Sequence, residues 1–520
     1  MSNSILVFPE PVDTLDLRSH ADTGWTSRWS RWSRRLNLER CSRQTGGCDN
    51  GACTCGERGH HPAIPGRPLV VGVLFHASIC GVHGARRMTV RFRDLKRIIQ
   101  TPLYANAYAL VANQAISAVL GLLYWMLAAR LYGVDTVGAS SLAISMLLLV
   151  SGIAQLGLGD GMKRFLPRAG LQTRRLIVLS YGAVIAASVL LSVSAVALRG
   201  VLNLSDVLGR GSFLAAWMVL AAVLWAIFVL QDAVLVGLRQ AKWVLIENTL
   251  YNIMKIAFLV LGARYLAKAG IVGSWFLPAP IGIALVTWLV FGVYTRADRI
   301  ELPPASGLRL TVREVAASSG GDHIGSLVAE AASRLLPLLI VTVLGTAANA
   351  YFFQAWLIKA TLGLVASAMA GSFTAEAAAD MPRISRHSRD ILRHMAMLII
   401  PVSLVIGVGA PLILTLFGKS YAAEGATLLR WLCLASPLLV FNNWYLAYAR
   451  VVGRIQRIIL VQTVGAVLLL GLSYAFLHPL GITGVGIAWI LSQSATAVVG
   501  LLDSRSVLFG AGHVEGGTTT

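Results

Sequence analysis

From Tyr104 onward the chain is a succession of apolar runs of about twenty residues separated by short polar breaks. As a helix, a run of that length matches the roughly 30 Å hydrocarbon core of a bilayer. No water is available there to pair with peptide groups, so a crossing segment must satisfy its own backbone. The runs lie near 104–131, 137–159, 176–198, 212–236, 246–267, 272–294, 316–344, 349–373, 395–416, 426–449, 457–477 and 480–502. The expected fold class is therefore all-α, a polytopic membrane protein of about twelve transmembrane helices. Composition agrees. The chain is 56% hydrophobic and only 13% charged, where soluble domains carry about 25% charged residues.

The net charge of +20 would point to nucleic acid in a soluble protein. Here the positive residues cluster in alternate loops. Lys163, Arg164, Arg168, Arg174 and Arg175 follow the second run, and Arg239 with Lys242 follow the fourth. Arg296, Arg299, Arg309 and Arg313 follow the sixth, Arg383, Arg386, Arg389 and Arg393 the eighth, and Arg450, Arg454 and Arg457 the tenth. Cytoplasmic loops carry such an excess, so both termini are expected in the cytoplasm of a cell (inner) membrane, and no nucleic-acid partner is implied. The opposite loops are too short to hold a domain.

Residues 1–87 do not share the pattern. Rich in Arg, Gly, Ser and Trp, they read as disordered or as lying outside the natural product, with Met88 the better start. Cys41, Cys48, Cys53 and Cys55 with His60 and His61 lack the paired CxxC spacing of a zinc finger. The run Leu69 to Val82 is too short to span. The rest divides into a first lobe at 88–294, a polar linker at 295–314, a second lobe at 315–505 and a flexible tail at 506–520. Three ordered matches link the lobes: Gly133 with Gly345, the segment at Arg239 with that at Arg454, and GIVG at Gly270 with GITG at Gly481. Six helices per repeat put the pseudo-twofold axis along the membrane normal and the site between the lobes.

Polar residues inside the runs are the functional candidates, because ionisable groups at membrane depth face a protein interior or a water-filled cavity. The seventh run carries Asp322, Glu330 and Arg334 and is the most polar of them. Lys255, Lys359, Asn113, Gln114 and Gln354 lie in other runs. Arg334, Lys359 and Lys255 suit an anionic substrate group such as a phosphate or pyrophosphate, with Asn113, Gln114 and Gln354 as polar lining. Glu330 and Arg334, spaced i, i+4, are also placed to neutralise each other. Asp322 suits a coupling cation or a loop arginine, and Glu330 is a second coupling candidate. Arg130, Asp232 and Glu247 lie near run ends and read as snorkelling charges. Pro337 and Pro401 are candidate kinks. No Walker A motif, metal-ligand spacing or catalytic constellation is present. The expected chain is not an enzyme and needs no metal or cofactor.

The segment Asn106 to Arg168 resembles the opening two helices of polysaccharide exporters and O-antigen-type flippases of the multidrug/oligosaccharidyl-lipid/polysaccharide (MOP) superfamily. The resemblance rests on the Asn-rich first helix, the hairpin Arg130, Leu131, Tyr132 and Gly138, and the turn from Gly157 to Pro167. It implies two MATE-like six-helix lobes forming a V. It also implies a polyprenyl-pyrophosphate-linked oligosaccharide moved by alternating access for cell-surface polysaccharide and lipopolysaccharide synthesis. Membrane lipids and glycosyltransferases or a polymerase of the same pathway would be partners. A cation-coupled drug antiporter of the same fold is the alternative.

Overall fold

The computed structural model describes residues 102–197, 212–266, 269–295, 320–379 and 381–509. All belong to the second of the two units into which the chain divides, 89–520. The cysteine cluster, Leu69 to Val82 and most of the linker lie outside the described residues.

The first lobe contains α1 (Pro102–Leu131), α2 (Val134–Ala154), the short α3 (Leu158–Phe165), α4 (Thr173–Ala197), α5 (Ser212–Gly237), α6 (Ala241–Tyr265) and a broken span, α7 (Gly270–Phe276) with α8 (Ala279–Trp288). The second contains α9 (Gly320–Leu344), α10 (Thr346–Ala379), α11 (Ile384–Val408), α12 (Ala410–Thr415), α13 (Lys419–Leu434), α14 (Ser436–Val451), α15 (Ile455–Leu480) and α16 (Thr483–Phe509). Among the described residues eleven spans are long and apolar enough to cross a membrane, and the pair α13–α14, bent by 48°, makes twelve if it is one broken span. Side chains such as Leu190, Val408 and Leu412 stand largely exposed, which suits hydrocarbon and would be costly in water.

The helix breaks fall at prolines that open a helix, not at Pro337 or Pro401. α9 and α11 run through Pro337 and Pro401. The interruptions come at Leu277–Pro278, Gly409 and Ala435, each with a proline in the first turn of the following helix. Proline there removes an N–H that has no helical acceptor in any case.

The turn after α5 and the turn after α14 close alike. In the first, Arg239 adopts φ 58, and the amides of Gln240 and Arg239 bond Leu235 and Val236 carbonyls at 2.8 and 2.9 Å. In the second, Gly453 adopts φ 75, and Arg454 and Gly453 bond Ala449 and Arg450 carbonyls at 2.8 and 3.2 Å. Both are Schellman caps, one built on glycine and one on a strained arginine.

The lobes meet at one end. One core joins Tyr124, Trp125 and Tyr132 of the first lobe to Leu336, Ile340 and Phe352 of the second. Away from it each lobe has its own core, around Leu176, Ile177 and Val234 in the first and around Phe373, Met395 and Trp444 in the second. Among the described residues, the cross-lobe hydrogen bonds lie at the end formed by the α1–α2 and α9–α10 turns, the hairpin end. Thr346 donates to Asp135 Oδ1 at 2.6 Å. Asn349 Nδ2 donates to the Gly138 carbonyl at 2.8 Å and to Ser141 Oγ at 3.0 Å. Arg130 donates to the Leu416 and Thr415 carbonyls at 2.9 and 2.5 Å, so it caps the C-terminal end of α12 rather than snorkelling. Trp125 packs on Phe353 with ring centroids 4.5 Å apart. The described basic loops, after α2, α5, α10 and α14, lie at the opposite end.

Candidate functional site

The three mid-depth cations have different surroundings. Lys255, on α6, is almost fully buried. Its ammonium sits over three rings, 4.5 Å from the Trp275 centroid, 4.8 Å from Tyr124 and 5.3 Å from Tyr251. Lys359, on α10, is buried as well, 3.4 Å from the Trp489 centroid and 4.1 Å from Trp356. Each box attracts the cation through ring quadrupoles, an interaction worth about 2 kcal/mol or more when desolvated. Arg334 is half-exposed, and its Nε and Nη2 both reach Glu330 Oε1 at 2.7 Å. That i, i+4 pair is the neutralising arrangement the spacing allows.

The polar candidates scatter. Gln354 is wholly buried, and neither end of its amide has a partner within the protein. Asn113 is half-buried with an unpartnered Oδ1, and Gln114 is exposed. Asp322 lies in the first turn of α9, and its side chain falls outside the described residues. Asn106 accepts the Ala241 amide at 3.1 Å and so caps the start of α6 from another helix.

Two acids judged peripheral from sequence are interior. Glu247, on α6, is 2% exposed, and neither carboxyl oxygen has a partner. A Cβ on Gly282 of α8 would come 3.0 Å from its Oε1, so the missing side chain makes room for the carboxyl. Asp232, on α5, accepts from Asn248 Nδ2 at 3.0 and 3.2 Å. Gln231, beside it, donates to Thr287 Oγ1 at 2.9 Å and to the Ile283 carbonyl at 3.2 Å. Distance to the run end misled here, because snorkelling requires a helix face open to headgroups and this face packs against α5 and α8.

The second lobe contains a cavity of about 160 Å³ between α9, α14, α15 and α16, lined on its polar side by Ser333, Asn442, Asn443, Gln462, Gln493 and Thr496. Asn442 Nδ2 donates to Gln493 Oε1 at 2.8 Å and Thr496 Oγ1 at 2.9 Å. Asn443 Oδ1 accepts from Ser367 at 3.1 Å. Sequence reasoning passed over these residues because no ionisable residue in their runs drew attention to them, although four amides in three helices of otherwise apolar character are unusual. Among the described residues no group of three His, Cys, Asp or Glu side chains could hold a metal ion.

No protein-family model matches the chain, and no curated protein matches it in sequence. Solved structures do. An inward-facing multidrug resistance MATE family transporter of the MOP superfamily is 18% identical with a TM-score of 0.60, covering 76% of this chain and 97% of that one. An outward-facing structure of a MATE family transporter gives 0.55 at 16% identity, with coverages of 79% and 96%. A MOP superfamily transporter from Pyrococcus furiosus Vc1, whose reversed binding-pocket polarity is said to suggest a different function, also gives 0.55 at 16% identity, with coverages of 79% and 98%. These likenesses establish the fold: the chain is an all-helical, multi-pass membrane protein folded like the MATE transporters of the MOP superfamily.

Proposed function

We propose that the chain is an alternating-access transporter that moves a polyprenyl-pyrophosphate-linked oligosaccharide across the cytoplasmic membrane for surface polysaccharide synthesis. The carrying observation is the second lobe's interior. There Arg334 is paired with Glu330, Lys359 lies on Trp356 and Trp489 with no ion pair among the described residues, and beside them lies an uncharged cavity of amides and hydroxyls. Excess positive charge suits a phosphate, and a neutral hydrogen-bonding wall suits a hydroxylated cargo. In this reading the basic end is cytoplasmic, and the lobes are closed toward the outside. The lipid tail stays in the bilayer while the saccharide crosses between the lobes, and no bond is made or broken.

The test is a leaflet-exposure assay of lipid-linked saccharide in cells carrying Arg334→Ala or Lys359→Ala. Each variant is expected to lose at least tenfold in outer-leaflet appearance at normal protein level. Unchanged appearance in both would defeat the reading.

Glu247 favours a second reading, a cation-coupled antiporter, because a buried carboxyl without a partner is suited to bind and release a cation or proton. In that case Glu247→Gln abolishes ion-dependent drug efflux, while Arg334→Ala leaves efflux intact.

A further inference from the structure

The cavity of about 160 Å³ in the second lobe has room for about five waters at their ~30 Å³ share of liquid volume, or for one sugar ring. None of the residues that line it is ionisable, so it offers no opposite charge to a cationic drug or to a bare phosphate. Hydrogen-bonding capacity is plentiful. Asn442 is buried, its Nδ2 is engaged by Gln493 and Thr496, and its Oδ1 has no partner. Gln462 reaches the same space from α15 and makes no hydrogen bond among the described residues. An amide presents a donor and an acceptor side by side, which is the pairing a sugar hydroxyl requires. An unpartnered buried acceptor is costly unless something fills the site.

One wall is aromatic. Trp489 lines the cavity and is 9% exposed. It is held edge-on by Trp356 at 5.2 Å, and Lys359 sits on one of its faces. A rigid indole can take the C–H face of a pyranose while amides take its hydroxyls. Pockets for small ligands share this construction, an apolar surface with a few placed polar groups. Lys359 lies 3.4 Å from the Trp489 centroid, so a ring seated against this wall would lie close to one of the charges assigned above to phosphate.

We propose that this cavity binds one pyranose unit of the transported saccharide through Asn442, Gln462 and Gln493, with Trp489 as the stacking wall. Only the word "transported" rests on the flippase reading.

The experiment is saturation-transfer-difference NMR on the full chain in lipid nanodiscs, with the methyl glycosides of glucose, galactose and N-acetylglucosamine as probes and glycerol as control. Ring protons of at least one glycoside are expected to receive saturation in the wild type. The effect should fall at least fivefold in Gln462→Leu and in Asn442→Leu. Because Asn442→Leu breaks internal bonds and could unfold, Gln462→Leu carries the decision, with a thermal melt as folding control. No transfer above glycerol, or equal transfer in Gln462→Leu, overturns the assignment. So does a cavity that answers only to sodium, seen as a sodium-dependent melting shift without transfer to any glycoside. If glycosides bind as described while the wild type fails to move lipid-linked saccharide between leaflets, the flippase reading falls and the cavity assignment stands.

Discussion

Lys255 shows how a charge can be kept inside a membrane protein without an acid. It makes no ion pair among the described residues, and three rings take the place of a carboxylate. Removing water from an ammonium costs several kcal/mol, and about 2 kcal/mol from cation–π attraction offsets only part of that. Lys255→Met, which keeps the stem and loses the charge, should leave the unfolding temperature equal or higher. Tyr124→Ala, which leaves the cation and opens its box, should cost about 3–5 kcal/mol by analogy with other aromatic deletions. A fall in Lys255→Met as large as that in Tyr124→Ala would show that the ammonium has a stabilising partner. The sequence marked Lys255, Lys359 and Arg334 as interior because hydropathy exposes any charge within an apolar run. It could not separate them, because a box of rings drawn from α1, α6 and α7 is a long-range arrangement with no local signature. Glu247 was missed for the converse reason: its place near a helix end describes depth, and burial depends on which face packs.

At the scale of elements, the number and order of the spans were readable, since each is a continuous apolar run. Their breaks were not, because a proline in a sequence does not say whether it lies inside a helix or begins one. The contact between α2 and α10 is the most exacting element-level feature. A Cβ on Gly138 would run into the Thr346 carbonyl, with the carbonyl carbon at 2.7 Å, and would lie 3.2 Å from the Ala350 amide nitrogen. These are backbone atoms that cannot rotate away. Gly138→Val should therefore hold the two helices apart. Electron–electron distance measurements between spin labels on the α1–α2 and α9–α10 turns would report it as a shift to a longer, broader distribution. Arg130→Ala, which removes two hydrogen bonds but adds no clash, should shift the population by about tenfold for each ~1.4 kcal/mol removed. If neither variant lengthens the distance, the contact does not hold the lobes together.

The described residues form two lobes joined at one end by a common core and separate in their cores at the other. Such a shape suits a cargo site reached from one side at a time, and it makes the hairpin-end contact a point of control. Asp135→Cys with Thr346→Cys places two thiols where side-chain oxygens now lie 2.6 Å apart. In a background lacking the other cysteines, oxidation should stop transport and reduction should restore it. Transport that continues at full rate in the cross-linked protein would mean that this end need not open. The two lobes were visible in sequence as three ordered matches, although the matched turns differ in backbone, Gly345 and Gly481 taking positive φ where Gly133 and Gly270 do not. The junction between the lobes was not, since its partners are largely main-chain oxygens. Arg130 is answered by the carbonyls of Thr415 and Leu416, and Asn349 by that of Gly138. Every residue possesses such an oxygen, so evolution can exchange the side chains at 415 and 416 without disturbing the contact. A screen for compensating second mutations would then return changes at Arg130 with no reciprocal partner, while Asn349, which also bonds Ser141 Oγ, could still find one; paired-substitution statistics across relatives would register at Arg130 half of a joint whose other half has no identity to vary.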